Sequence, residues 1–224
     1  MNNFVKKIIA LVLTISSIFT LFSCEEKNRE YDEATVIENA TSLIEKSATF
    51  NDIFWGYGIM YDESGSKEGQ YYEASYVDLY ILGYETVDDI IAGASEVYSK
   101  AYIGRIKNTV FYDFSANSST LLTPRYYQKY SDAEKKEPEC IMVDSTYEVL
   151  LKDEVEYLYD TITVKGSKGQ VVFVNIDVLV RRDEREQKRT LEIGIIEEKS
   201  GWRLDTPTYI VYNEYLDEDL GLGK

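Results

Sequence analysis

Two cysteines, forty carboxylates and no histidine set the limits of the chemistry open to these 224 residues. The missing histidine removes Ser-His-Asp and Cys-His catalysis, His-ligated zinc and the commonest general base near neutral pH. Cys140 has no imidazole to draw off its proton, so it reads as a small buried hydrophobe and a poor nucleophile. Carboxylate or tyrosine chemistry stays open, yet no acidic pair sits in a recognisable motif. The chain therefore reads as non-enzymatic, with no catalytic residue, no metal ligand set and no cofactor site. Calcium is the cation its acidity would favour.

The other cysteine has a context of its own. Lys6 and Lys7 close a short polar start, an apolar run extends from Ile8 to Phe22, and Leu21-Phe22-Ser23-Cys24 is followed at once by Glu25 and Glu26. A charged start, an apolar run too short to cross a bilayer comfortably and a small residue at the cut make a signal peptide. Leu21, three residues before Cys24, and Ser23, immediately before it, resemble the bacterial lipobox; Phe22 is bulkier than the usual middle residue. That resemblance implies cleavage before Cys24 and a diacylglyceryl group on its thiol, and two acyl chains anchor firmly where one would not. The expected organisation is a lipoprotein signal peptide over 1–23, a tether over 24–31 and a single domain over 32–224. The domain would sit on the extracytoplasmic face of a bacterial membrane, lipid-anchored. The alternative is an uncleaved N-terminal anchor with Cys24 incidental.

Without residues 1–23 the chain keeps 22 basic and 40 acidic side chains, a formal charge of −18. Phosphate backbones would be repelled, which argues against nucleic acid. Anionic lipid would be repelled too, except through the anchor. A basic partner, a cation or a neutral ligand remains open, beside plain solubility. With Cys24 taken by lipid, Cys140 has no partner for an internal disulfide, and the fold must rest on its core.

The elements that must carry any site form an α+β pattern. Asp32 can cap a helix whose Val36, Ile37, Ala40, Leu43, Ile44 and Ser47 recur at helical spacing, to about Ala48. An aromatic cluster, Phe50 to Gly58, extends or breaks it, and a polar loop follows from Asp62 to Gly69. Residues 71–82 are rich in Tyr, alternate in part and predict an extended stretch. Thr86-Val87-Asp88-Asp89 has the form of a capping box. The helix it opens should bury Ile90, Ala94, Val97, Tyr98, Ala101 and Tyr102, with Ser99 opening a further turn or a separate short helix. Candidate strands are 125–130, 141–143, 155–164, 171–180 and 190–198, with 171–180 central because it is almost continuously apolar. Lys165 to Gly169 is a hairpin signal. Arg181 to Arg189 reads as a solvated loop or hairpin tip, or as a basic patch against the acidic background. Trp202 reads as core, and Pro207 marks an edge or strand end. These elements predict N-terminal helices packed on a curved antiparallel β-meander, a cystatin-like or nuclear-transport-factor-like arrangement.

Four blocks resemble the D,L-endopeptidase inhibitor family (the IseA type) of Gram-positive bacteria and related clostridial lipoproteins. They are Phe50-Asn51-Asp52-Ile53-Phe54-Trp55-Gly56-Tyr57-Gly58, the segment Thr86 to Ala101, Pro124-Arg125-Tyr126-Tyr127, and Gly201-Trp202-Arg203-Leu204-Asp205-Thr206-Pro207-Thr208-Tyr209. The last block also resembles the sheet-closing end of nuclear-transport-factor-like and cystatin-like secreted domains. The family implies a protein that binds cell-wall hydrolases and blocks their active-site groove. The lipobox and the long insertions depart from it, and no inhibitory residue is carried over.

Twenty tyrosines suit a binding surface, since Tyr gives broad contact at low entropic cost. The expected contact residues are Trp55, Tyr57, Tyr71, Tyr72, Arg125, Tyr126 and Tyr127. Neighbours on a strand point to opposite faces, so at most one Tyr of each adjacent pair should join the core. The leading expectation is a membrane-anchored binding or regulatory module directed at a cell-wall hydrolase or another envelope protein. The alternative is a small-ligand or glycan-binding lipoprotein with an apolar cone inside the sheet, and an enzyme using carboxylates or Tyr comes third.

Overall fold

The computed structural model describes residues 31–111, 124–131, 139–182 and 185–209. The signal segment, Cys24 and most of the tether lie outside them. In chain order the elements are α1 (Glu33–Trp55), β1 (Lys67–Glu68), β2 (Tyr71–Glu73), α2 (Tyr76–Leu82), α3 (Val87–Ser95) and α4 (Lys100–Val110), followed by β3 (Tyr126–Lys129), β4 (Cys140–Asp144), β5 (Glu154–Lys168), β6 (Val171–Arg182), β7 (Arg185–Glu198) and β8 (Gly201–Leu204). Helices and antiparallel sheets pack together, and the class is α+β.

Helix α1 starts where the sequence places it. Asp32 caps it, accepting from the Thr35 backbone N–H at 2.9 Å and from its hydroxyl at 2.6 Å. It runs seven residues past Ala48, because Phe50, Ile53 and Phe54 prolong the buried row of Val36, Ala40, Leu43 and Ile44. Gly56 ends it, its N–H turning back to the carbonyls of Asn51 and Asp52.

The meander is present as β5-β6-β7-β8, each strand antiparallel to the next, and β6 is interior. Its apolar run is less continuous in space than in sequence. Val172, Val174, Ile176 and Val178 are buried on the face toward α1, while Val171, Phe173, Asn175, Asp177 and Leu179 lie half-buried on the other. The β5–β6 turn falls at Gly169-Gln170, so Lys165, Gly166 and Ser167 belong to β5, where a register shift bulges the strand. The run Arg181 to Arg189 is mainly paired strand and not a loop, with Arg181 and Arg182 ending β6 and 185–189 beginning β7, while 183–184 lie outside the described residues. Arg181 pairs with Glu156 and Glu186 at 2.5 and 2.7 Å, Arg182 with Asp153, and Lys188 with Asp177 at 2.8 Å. These pairs engage three of the five bases of the run and so weaken the case for a basic binding site there.

A single meander is too simple a picture. The strands expected at 125–130 and 141–143 leave the meander and form a second sheet, ordered β1-β2-β4-β3. Its two short N-terminal strands come from the segment read as a polar loop and a Tyr-rich stretch, too brief for alternation to register. The helix opened at Thr86 is also shorter than expected. The Thr86/Asp89 capping box is present, with Asp89 N–H to the Thr86 hydroxyl at 3.1 Å and Thr86 N–H to the Asp89 carboxylate at 2.8 Å. The helix stops at Ser95, Ser99 caps α4, and the reset of phase leaves Ala101 exposed.

A buried polar knot ties the layers together. Ser47 and Thr208 share a hydroxyl hydrogen bond of 2.7 Å, Asn51 donates to the Thr208 hydroxyl at 2.9 Å, and the Tyr98 hydroxyl donates to the Asn51 carbonyl at 2.8 Å. From β5, the Tyr157 hydroxyl donates to the Thr208 backbone carbonyl at 2.6 Å. Replacing Asn51 with Ala takes the acceptor from the buried Tyr98 hydroxyl and one of two partners from the Thr208 hydroxyl, and a buried polar group left unsatisfied costs roughly 1–3 kcal/mol. We expect Asn51→Ala to lower stability in urea unfolding by about 2–4 kcal/mol, whereas Glu38→Ala on the exposed side of α1 should change it by less than about 0.5 kcal/mol.

Candidate functional site

Most of the large exposed apolar side chains among the described residues lie on α2 or in the loop beside it, with Tyr130 and Leu150 elsewhere in the chain. Tyr76, Val77, Tyr80 and Ile81 keep between 62 and 78% of their surface, and no residue of this helix is fully buried. Their spacing of i, i+1, i+4, i+5 places them in one strip along the helix. The rings of Tyr76 and Tyr80 lie 6.3 Å apart and 26° from parallel. Leu79 and Leu82 face inward against the core. The helix is thus apolar on both sides, where a helix on a folded surface normally turns its charges outward.

The sequence encodes this helix, although the segment reads as extended. Ser75 caps it by accepting from the Asp78 N–H, and Gly83, at φ 76°, closes it with an N–H to the Leu79 carbonyl at 2.9 Å. Ser-Tyr-Val-Asp followed by a glycine past the last apolar residue is a start-and-stop signal. The four tyrosines at 71, 72, 76 and 80 mask it, because aromatic residues favour strands.

A second wall runs beside the start of α2. Met60 donates its N–H to the Asp78 carboxylate at 2.9 Å and accepts from the Ser75 N–H at 2.8 Å. Met60 and Tyr57, three residues upstream, are 56 and 70% exposed. This loop is fastened from beneath. Tyr57 N–H donates to Asp52 at 3.0 Å, the Tyr57 carbonyl accepts from Arg125 Nη2, and Ile59 N–H donates to the Tyr126 hydroxyl at 3.1 Å. Gly58 lies between these anchors at φ 68°, and a Cβ there would fall 2.3 Å from Arg125 Nη2 and 2.4 Å from the Tyr126 hydroxyl. Only glycine fits.

Of the seven residues expected on a contact surface, Tyr57 alone joins this strip. Arg125, Tyr126 and Tyr127 are buried and must be moved from the contact surface to its foundation. Arg125 is 3% exposed, its guanidinium 4.4 Å from the Tyr147 ring centre and 5.2 Å from that of Tyr126. Both tyrosines of the 126–127 pair are buried because both faces of β3 are covered. Tyr126 donates to the Ile53 carbonyl at 2.8 Å on one side, and Tyr127 packs on Tyr71 at 4.9 Å and donates to Glu68 at 2.6 Å on the other. Burial pushes the Tyr126 hydroxyl up to about 12, and the Tyr127 hydroxyl is raised by burial and then by its bond to Glu68. These phenols are held neutral, as hydrogen-bond donors. Trp55 is half-buried against Tyr209 at 5.9 Å, and Tyr71 and Tyr72 are half-buried on β2. Trp202 is half-buried against the core and meets Tyr31 edge-on at 5.5 Å.

Cys140 is half-buried on β4, its thiol 3.7 Å from the Met142 sulfur. Among the described residues no three carboxylates or thiols converge on a point that could hold a metal ion, and no helix is long and apolar enough to cross a membrane. The inner face of the meander, where an apolar cone would lie, packs against α1 in one continuous core. An open depression of about 630 Å³ lies elsewhere, at the β7–β8 turn, lined by Lys100, Gln170 and 196–200.

Neither a protein-family model nor a curated protein matches the chain.

The two sets of aromatics should behave oppositely when cut back. Tyr80→Ser combined with Ile81→Ser removes exposed surface and should shift the melting temperature by no more than 2 °C or so, within the range of ordinary surface changes. Tyr126→Ala empties the core and unfastens Ile59, and should cost about 3–5 kcal/mol in denaturant unfolding.

Proposed function

We propose that this protein is a membrane-anchored, extracytoplasmic binding module that regulates a partner without catalysing a reaction itself. The observation that carries the reading is the outward apolar strip of α2, continued by Met60 and Tyr57. Folding gains nothing from leaving so many large side chains in water, and contiguous patches of this kind mark interaction sites. Their composition suits protein contact: tyrosines with two rotatable angles, set among aliphatic neighbours on a preformed support. The chemistry agrees, since the chain has no histidine and its buried phenols are held neutral.

The sequence resemblance directs the choice of first partner to a cell-wall D,L-endopeptidase. Residues 24–224 with Cys24→Ser should bind such an enzyme, slow its cleavage of peptidoglycan and leave peptidoglycan uncut alone. Tyr80→Ser with Ile81→Ser should weaken that binding at least tenfold, about 1.4 kcal/mol or more, at unchanged melting temperature. An unaltered rate of peptidoglycan cleavage at saturating protein removes the inhibitory role.

The ligand-pocket alternative gains no comparable support, because α1 and the meander pack into one continuous core. Anchoring rests on Leu21 to Cys24 and is tested separately. In a bacterial host, Cys24→Ala should abolish incorporation of labelled palmitate and release the chain from the membrane fraction or leave it unprocessed. Undiminished label would overturn the lipid assignment.

A further inference from the structure

The strip around α2 lies in a one-sidedly charged part of the sequence. From Ser47 to Ser99, 53 residues carry ten Asp or Glu and one base, Lys67. That lysine is already engaged, donating to the Tyr72 hydroxyl at 2.6 Å with its ammonium 4.5 Å from the ring centre. Arg181, Arg182 and Lys188 of the β6–β7 hairpin are engaged by Glu154, Glu156, Glu186, Asp153 and Asp177. Around the apolar strip the acids stay on the surface. Asp52 lies beneath Tyr57, Asp78 projects from α2 itself, Glu85 follows its glycine cap, and Asp88 opens α3; Asp52, Glu85 and Asp88 are exposed. The apolar strip is therefore bordered along the chain by acids, and the Tyr57–Met60 wall beside it is held by Arg125, Tyr126 and Gly58.

We infer that the occupant of this surface is a protein segment of complementary pattern: a short amphipathic face of aliphatic side chains flanked by lysine or arginine. The inference rests on the binding-module reading and adds the chemistry of the partner. Each element of the pattern is needed. Aliphatic side chains cover Val77, Ile81 and Met60, which a sugar ring or a nucleotide would leave wet. Cations at the rim draw the partner in and fix its orientation, since electrostatic complementarity contributes more to encounter and specificity than to bulk affinity. The same field repels an anionic bilayer and a second copy of this acidic chain.

Two helical peptides with identical leucine faces, one with lysine and the other with glutamate at every polar position, separate the terms. Fluorescence anisotropy against residues 24–224 with Cys24→Ser should show the lysine peptide bound and the glutamate peptide unbound. Affinity for the lysine peptide should fall about tenfold or more as salt rises toward 0.5 M, where the screening length shrinks to a few ångströms. Glu85→Gln with Asp88→Asn should weaken it about threefold, a change of roughly 0.6 kcal/mol. Tyr80→Ser with Ile81→Ser should abolish it, with melting temperatures unchanged in both.

Equal binding of the two peptides would overturn the charge requirement. Undiminished binding of the lysine peptide to the Tyr80→Ser, Ile81→Ser variant would reduce it to unspecific attraction. Strip-dependent binding to neutral phosphatidylcholine vesicles without peptide binding would assign the surface to lipid, and a strip-dependent dimer in sedimentation would assign it to a second copy. An endopeptidase that fails to respond leaves the peptide result standing. One that binds through the strip with no salt dependence keeps the binding-module reading and sinks this one.

Discussion

The amide of Asn51 sits where three parts of the chain would otherwise slide past one another. It lies on α1 and reaches the tail after β8 through Thr208 and the α3–α4 connection through Tyr98. Greasy contacts alone would let α1 rotate on the meander with little penalty, since hydrophobic burial has no direction. A buried amide has one arrangement that satisfies its donors and acceptor, and any other strands them in a dry interior. The knot therefore fixes the rotation of α1, and with it where Trp55, Gly56 and Tyr57 leave the helix. The position of the exposed loop at Tyr57 is inherited from a hydrogen-bond network centred six residues earlier, at Asn51.

The same connection protects the sheet. As the last strand of the meander, β8 would offer a free edge for another chain to pair with. Its Leu204 instead exchanges backbone bonds with the α3–α4 link, Leu204 N–H to the Val97 carbonyl at 2.8 Å and Ser99 N–H to the Leu204 carbonyl at 2.7 Å. Arg203 locks the closure by donating to the Ser95 carbonyl at 2.9 Å and reaching Glu96 at 3.2 Å. The Gly-Trp-Arg-Leu-Asp block thus acts as a structural fastener between β8 and the α3–α4 link.

What could be read from the sequence follows the range of the forces involved. Capping at Asp32 and Thr86, the hairpins of the meander and the interior place of β6 depend on neighbours a few residues apart, and all are legible in the local pattern. The second sheet depends on strands two to five residues long whose partners lie up to 73 residues away, as Tyr71 and Asp144 do. Periodicity cannot report that. The contact residues divide the same way. Tyr57 was legible as surface because glycines flank it. Arg125 looked like surface because a guanidinium usually is, and only the fold reveals the two tyrosine rings and the carbonyl that hold it inside. The α2 strip carried its caps in plain view, at Ser75 and Gly83, beneath a composition that argued for a strand.

These placements give the exposed strip its meaning. A protein this acidic has no shortage of charged residues with which to cover a seven-residue helix, and it uses such residues on the solvent side of α1, at Glu33, Glu38 and Glu45. On α2 it sets Tyr, Val, Tyr and Ile there instead, while still providing an N-cap, a left-handed glycine stop and a core-facing Leu79 and Leu82. Every local requirement for the helix is met without the outward side chains, so stability does not account for them. Support is also heavier than a surface loop needs: an inward-facing arginine, a buried phenol and an obligatory glycine all serve to hold the Tyr57–Met60 wall beside that helix. A buried guanidinium that positions a loop, beside a helix left apolar toward water, is the preformed support that the proposed binding surface requires.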